Sequence, residues 1–191
     1  RQAEMQDMVA AHVMQIADVV VASTRYTMLL NKRDIAERII EDVGKQKGIE
    51  RLRVISKDGT IIHSNRTSEI GYSVEQQDEP CIGCHQTREP LKRVADDKRW
   101  QVFTNPAGTH RVLTSMHAIR NEPTCASASC HEHPASQSVL GIVDIAYSLE
   151  EIDESMREHA LHIAGVSFAF ILLLALSLPW PLTAGVCPPG Q

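Results

Sequence analysis

Ile49-Glu50-Arg51-Leu52-Arg53-Val54-Ile55-Ser56-Lys57-Asp58-Gly59-Thr60-Ile61-Ile62 is the stretch on which the fold of this chain turns. Apolar residues stand close together on both sides of Asp58-Gly59. That dipeptide accepts the positive φ of a tight turn, so the stretch predicts two antiparallel strands. Further on, Trp100-Gln101-Val102-Phe103-Thr104, the turn Asn105-Pro106-Ala107-Gly108, and Arg111 to Ile119 predict a second hairpin, with His110 and His117 on its strand. A fifth strand fits Ser138 to Tyr147, where Val139-Leu140-Gly141-Ile142-Val143-Asp144-Ile145 is rich in β-branched residues.

Upstream of the first hairpin the period is that of a helix. Residues 4–43 contain no Gly or Pro, and Met5, Met8, Val9, Val13, Ile16, Val19 and Val20 recur three and four apart. One long helix is predicted, with a break near Ser23-Thr24 and a stop at Gly44 to Gly48, where Lys45 and Lys47 suit the negative end of the helix dipole. Downstream, Ser148 with Glu151 three residues on makes a capping box. The helix it opens runs through Glu154, Met156 and His159 into a segment free of Asp, Glu, Lys and Arg from Ala160 to Gln191. Ala160 to Trp180 matches the ~20 residues that cross a bilayer as a helix, and Ile163 to Leu178 is polar only at Ser167 and Ser177.

The predicted class is α+β: a long N-terminal helix, a five-stranded antiparallel sheet and a C-terminal helix running into one transmembrane span. The divisions are 1–48 for the helix, 49–148 for the sheet domain, 149–159 for a connecting helix, 160–182 for the span and 183–191 for a short tail. Two loops interrupt the sheet, at 74–98 and 121–137. The opening Arg1-Gln2-Ala3-Glu4 reads as following a cleaved leader or an earlier membrane helix.

Composition limits the function. A net charge of −5 lacks the basic surface that phosphate backbones need, which argues against a nucleic-acid partner. Aromatic residues are 4% of the chain, a thin supply for a core that must offset chain entropy, so a bound macrocycle would add missing apolar mass.

Both loops carry cysteine pairs followed directly by histidine. Cys81-Ile82-Gly83-Cys84-His85 has the C-x-x-C-H spacing in which two thiols form thioethers with the haem vinyl groups and the adjoining His ligates iron. Cys125-Ala126-Ser127-Ala128-Ser129-Cys130-His131 has four intervening residues, a longer spacing that resembles one found among multihaem cytochromes. The expected cofactors are two haem c groups, with Cys81, Cys84, Cys125 and Cys130 as attachment points and His85 and His131 as proximal iron ligands. A structural zinc on the four cysteines leaves both histidines without a role. Disulfides across such tight loops remove little chain entropy and are easily reduced.

Each iron has a sixth position, and its occupant separates electron transfer from ligand sensing. His133 cannot reach the far face of the haem carried by His131, but it can serve the other haem or bond a propionate. His110 and His117, seven apart on a predicted strand, point to opposite faces, so at most one faces a given haem. His63 reads as a surface residue, and Met5, Met8 and Met14 as core or dimer contacts. Cys187 has no evident partner.

The order of features resembles the extracytoplasmic haem-binding PAS-like (Cache-like) sensor domains of bacterial histidine kinases and methyl-accepting chemotaxis proteins, over roughly residues 20 to 185. The matching segments are Met28-Leu29-Leu30-Asn31-Lys32-Arg33, Gly48 to Val54, Asp58-Gly59, Glu69-Ile70-Gly71, Asn121 to Pro134 and Val139 to Asp144. The resemblance implies a PAS-like sheet, periplasmic placement at the inner membrane, and Met28 as the distal ligand of the haem on His85. It also implies a signalling output module, whereas the chain ends at Gly190-Gln191 with no ATP-binding or phosphotransfer residues and no evident catalytic constellation. Two readings follow. One is a redox- or gas-sensing haem module; the other is a plain membrane-anchored cytochrome passing electrons between membrane-bound or periplasmic redox partners. Membrane lipid is a partner in both, and pairing of two copies through the N-terminal helix covers that helix's apolar stripe.

Overall fold

The computed structural model describes residues 2–75, 99–126, 134 and 136–177. Cys81, Cys84, His85, Cys130, His131 and His133 lie outside the described residues. The chain divides into two compact units, Arg1–Glu150 and Glu151–Gln191.

The first unit opens with α1 (Gln2–Leu29) and α2 (Arg33–Gly44). The helix break falls at Leu30 to Lys32, not near Ser23-Thr24. The Thr24 hydroxyl donates back to the Val20 carbonyl at 2.7 Å and so stays within the helix, as threonine in a helix commonly does. Asn31 instead adopts a φ of 54°, and Lys32 N–H closes on the Thr27 carbonyl at 2.9 Å, a left-handed helix end with Asn where Gly is usual.

The sheet contains β1 (Ile49–Ser56), β2 (Ile61–Ser64), β3 (Trp100–Thr104), β4 (Arg111–Arg120) and β5 (Val139–Ser148), all antiparallel, in the order β2-β1-β5-β4-β3. Both hairpins and the fifth strand lie where the turn residues and β-branched runs placed them. Gly59 takes a φ of 87° at the first turn. A bulge between Val54 and Ile55 shifts the pairing of β1 with β2, so that His63 stands opposite Val54.

Alternation assigns the two faces of the sheet. Leu52, Val54, Val143, Ile145, Ser115 and His117 share one face through their cross-strand pairing, and α1 packs there on β4 and β5 while α2 packs on β1 and β2. The buried side of α1 is Ala10, Val13, Ala17, Val20, Thr24 and Thr27, spaced three and four apart. These are small or β-branched residues that let the helix lie close to the sheet. Met8, Val19, Tyr26 and Leu30, on the outer side, are exposed.

After β4 a short helix, α3 (Pro123–Ala126), carries Cys125. Asn121 ties the ends of this loop together: its N–H donates to Ser138 O at 3.1 Å and its side chain to Pro134 O at 3.2 Å.

The second unit holds nearly all of α4 (Glu150–Ser177), at whose start Ser148 Oγ accepts the Glu150 N–H at 3.3 Å. It is the one helix among the described residues long and apolar enough to cross a membrane, with a mean hydropathy of 2.2 over its best window.

Candidate functional site: a cavity under the two N-terminal helices

Where the last turns of α1 and the first turns of α2 rise off the sheet, they leave a cavity of about 530 Å³. That lies within the range of about 300–1,000 Å³ typical of cofactor and small-ligand sites. Its helical wall includes Thr24, Met28, Leu29, Ala36 and Ile40; its sheet wall includes Val54, Ile62, Ile119, Leu140 and Gly141. Gly141 has a structural reason to be glycine, because a Cβ there would lie 2.7 Å from the Ile55 carbonyl oxygen.

Cys125 is part of this wall and is buried, 8% exposed. An ion pair joins Arg25 of α1 to Glu122, just before α3. Met28 lies one helical turn beyond Arg25 and lines the same cavity as Cys125.

The cavity's polar residues are Arg25, Arg33, Glu37, Ser56, Lys57, Asp58, Thr24 and His63. Arg25 is committed to Glu122, whereas Arg33 and Lys57 form no ion pair among the described residues. Asp58 is held below the usual carboxylate range by hydrogen bonds from Ser56, its own backbone and Thr60.

His63 is half-buried, with Nδ1 3.6 Å from Glu37 Oε1. Burial pushes its imidazole below the ordinary 6.5; Glu37 opposes the shift and Arg33 adds to it. The sequence reading placed this residue on the surface. The bulge at Val54/Ile55 brings it to the helix-covered face, and no local signal marks that bulge.

The other candidate ligands lie elsewhere. His110 sits in the turn just before β4, not on the strand, because Asn105 and Thr109 bond its Nδ1 at 3.2 and 2.9 Å and its Nε2 meets Glu50. His117 is buried between α1 and the sheet, 2% exposed, with Asp18 Oδ1 3.1 Å from Nδ1, Ser115 Oγ 3.0 Å from Nε2, and Arg99 alongside. Neither histidine lines the cavity. Among the described residues no three His, Cys, Asp or Glu side chains cluster as a metal site.

The cavity therefore combines apolar walls, a buried cysteine, a thioether, an imidazole and two cations without ion-pair partners. No protein-family model matches the chain, and no curated protein matches it. Of what a haem c would need, the described residues could supply Cys125 for a thioether bond, apolar walls for the macrocycle, Arg33 and Lys57 for propionates, and Met28 or His63 for iron; Cys130 and His131 lie outside them.

Proposed function

We propose that the protein is a membrane-anchored, extracytoplasmic dihaem c-type cytochrome serving as a redox- or gas-sensing module of PAS-like fold. The observation that carries this reading is Cys125, the first cysteine of the second haem motif, buried in the wall of an apolar cavity that also holds Met28. A buried thiol with no disulfide among the described residues, facing a cavity of cofactor size, fits covalent attachment of a macrocycle.

Met28 is assigned to the haem of the second motif, since it shares a wall with Cys125. His85, with which the resemblance paired Met28, lies outside the described residues. When bound, the haem supplies an iron whose sixth position takes either a protein side chain or an external ligand. Met28 would bind the iron from α1, Arg33 and Lys57 would offset the charge of the propionates, and Ile40 and Val54 would exclude water from the group.

Because α1 and α2 form one wall, a change at Met28 reaches the helices directly. This favours sensing over catalysis, and the chain is read as a sensor input, not an enzyme. α4 anchors it in lipid, and haem c attachment, which takes place outside the cytoplasm, puts the sheet unit on the periplasmic side of the inner membrane. The exposed apolar side chains Met8, Val19, Tyr26 and Leu30 support pairing of two copies through α1. Signalling then needs an output domain. The electron-carrier reading is favoured by the presence of two haem motifs in the sequence, and it needs a redox partner instead.

The test is the absorption spectrum of the reduced protein with and without CO or NO. A Soret shift in the parent, enlarged in Met28→Ala, supports a displaceable Met28 and the sensor. Two haems indifferent to either gas support the carrier.

A further inference from the structure

α1 presents two stripes, not one. Ala10, Val13, Ala17, Val20, Thr24 and Thr27 are buried against the sheet. On the outer side Met5, Met8, His12, Gln15, Val19 and, past Ala22, Tyr26 follow one another at alternate steps of three and four, and every one of them is exposed. That is the spacing of a coiled-coil seam. The charges bordering the middle of this seam are tied back to their own chain: Asp18 Oδ1 is 3.1 Å from His117 Nδ1 and 3.5 Å from Arg99 Nη2, and Arg25 pairs with Glu122. Val9, Ile16 and Leu30, on the opposite border, are apolar.

His12 and Gln15 interrupt the apolar run, and they select the occupant. In a parallel, in-register pair of helices each faces its own counterpart, imidazole beside imidazole and amide beside amide. An antiparallel pair overlapping along the whole seam sets His12 against Val19, and one shifted to set His12 against Gln15 leaves Tyr26 uncovered. A second copy in parallel covers the full seam and keeps its polar groups together.

We propose that α1 pairs with α1 of a second copy as a parallel, in-register coiled coil, and that its His12 layer makes the pairing sensitive to pH. The inference deepens the pairing of two copies read above, adds its orientation and regulation, and is independent of the haem. Along the seam His12 is neighboured by Met8, Val9, Gln15 and Ile16, none of them charged, so the titratable group facing it is His12 of the second copy. Glu4 and Asp18, the nearest acidic groups that border the seam, lie more than a helical turn away. Two neutral rings can share a hydrogen bond, one N–H donating to the other's lone pair, whereas two imidazolium rings have only donors and repel. An ordinary imidazole takes up its proton near about pH 6.5. Protons therefore bind the separate chains better than the pair, and pairing is complete above that range and weakens as pH falls through it.

The experiment is sedimentation of the detergent-solubilised full chain at about pH 8 and about pH 5.5, on either side of the imidazole range. The parent is expected to pair at the higher pH and to pair roughly tenfold more weakly at the lower. His12→Asn, which keeps a polar group in the seam, is expected to pair at both with no such difference. Orientation is read in a Cys187→Ser background by mild oxidation: Ala22→Cys is expected to cross-link to its own counterpart, and Asp7→Cys, off the seam, is not. Equal cross-linking of these two variants overturns the parallel seam, and a pH dependence that survives in His12→Asn overturns the role of His12. A parent that stays monomeric at both pH values contradicts the pairing itself. The haem content of the same samples judges the haem reading separately.

Discussion

Two regions of the sheet, the Asp144 cluster and the cavity, treat polar groups differently. On the face away from α1 and α2, Asp144 is fully buried, and its Oδ2 accepts from Arg51 Nη2 at 3.1 Å and Arg53 Nε at 2.6 Å, with Glu69 4.0 Å from Arg53. The charges there are matched within the protein, and only Asp144 Oδ1 and Arg51 Nε are left without a hydrogen bond. On the helical face, at the cavity, His63 has one carboxylate contact, and Arg33 and Lys57 have no ion-pair partner among the described residues. A matched, buried cluster holds strands together, whereas exposed cations beside an apolar cavity can meet a ligand of opposite charge without breaking an ion pair.

Substitutions sharpen this contrast. The largest effect is expected at Asp144. Asp144→Ala leaves two guanidinium groups on the sheet without their shared acceptor and is expected to cost about 3–5 kcal/mol in chemical denaturation, with little change in any haem spectrum. Met28→Ala is expected to do the reverse: about 2 kcal/mol or less in stability, since the side chain already borders a cavity, with a clear change in the reduced haem spectrum. If the two variants shift spectrum and stability alike, the division between a structural and a ligand-binding face fails.

Asn31→Ala is next, at about 1 kcal/mol. An alanine at a φ of 54° loses the tolerance that asparagine has for this conformation, and the helix break that sets Met28 at the cavity becomes less well defined. The smallest effect is expected at the β1–β2 turn. The carboxyl of Asp58 is lowered in the folded state, so its contribution is complete above the ordinary 3.8 and is lost as pH falls through the still lower folded value. Asp58→Asn is therefore expected to lower stability slightly near neutrality and to flatten the stability profile below pH 3.8.

What could be read in the sequence follows the range of the interactions involved. Asp58-Gly59 and Asn105-Pro106-Ala107-Gly108 are local turn signals, and the run Val139 to Ile145 carries its own β preference, so both hairpins and the fifth strand were legible. The absence of Gly and Pro through residues 4–43 concealed the end of α1, because Asn31 takes the left-handed conformation usually left to glycine. The buried side of α1 was half legible: Val13 and Val20 are inside, while Met8 and Val19, on the same predicted stripe, are exposed. The sheet selected the smaller residues Ala10 and Ala17 for close approach.

At the site, Cys125 and Met28 were identifiable singly, but the cavity that both line brings together residues far apart in the chain. His63 was missed because a one-residue bulge decides which face it occupies.

The central claim is that both cysteine-histidine motifs carry covalent haem, and the intact mass of the denatured chain, with peptide mapping, tests it most directly. The account predicts a mass raised by two haems, one on the peptide with Cys81 and Cys84 and one on the peptide with Cys125 and Cys130. An unmodified mass with free thiols, a disulfide in either motif, or zinc released in proportion to the chain would contradict it.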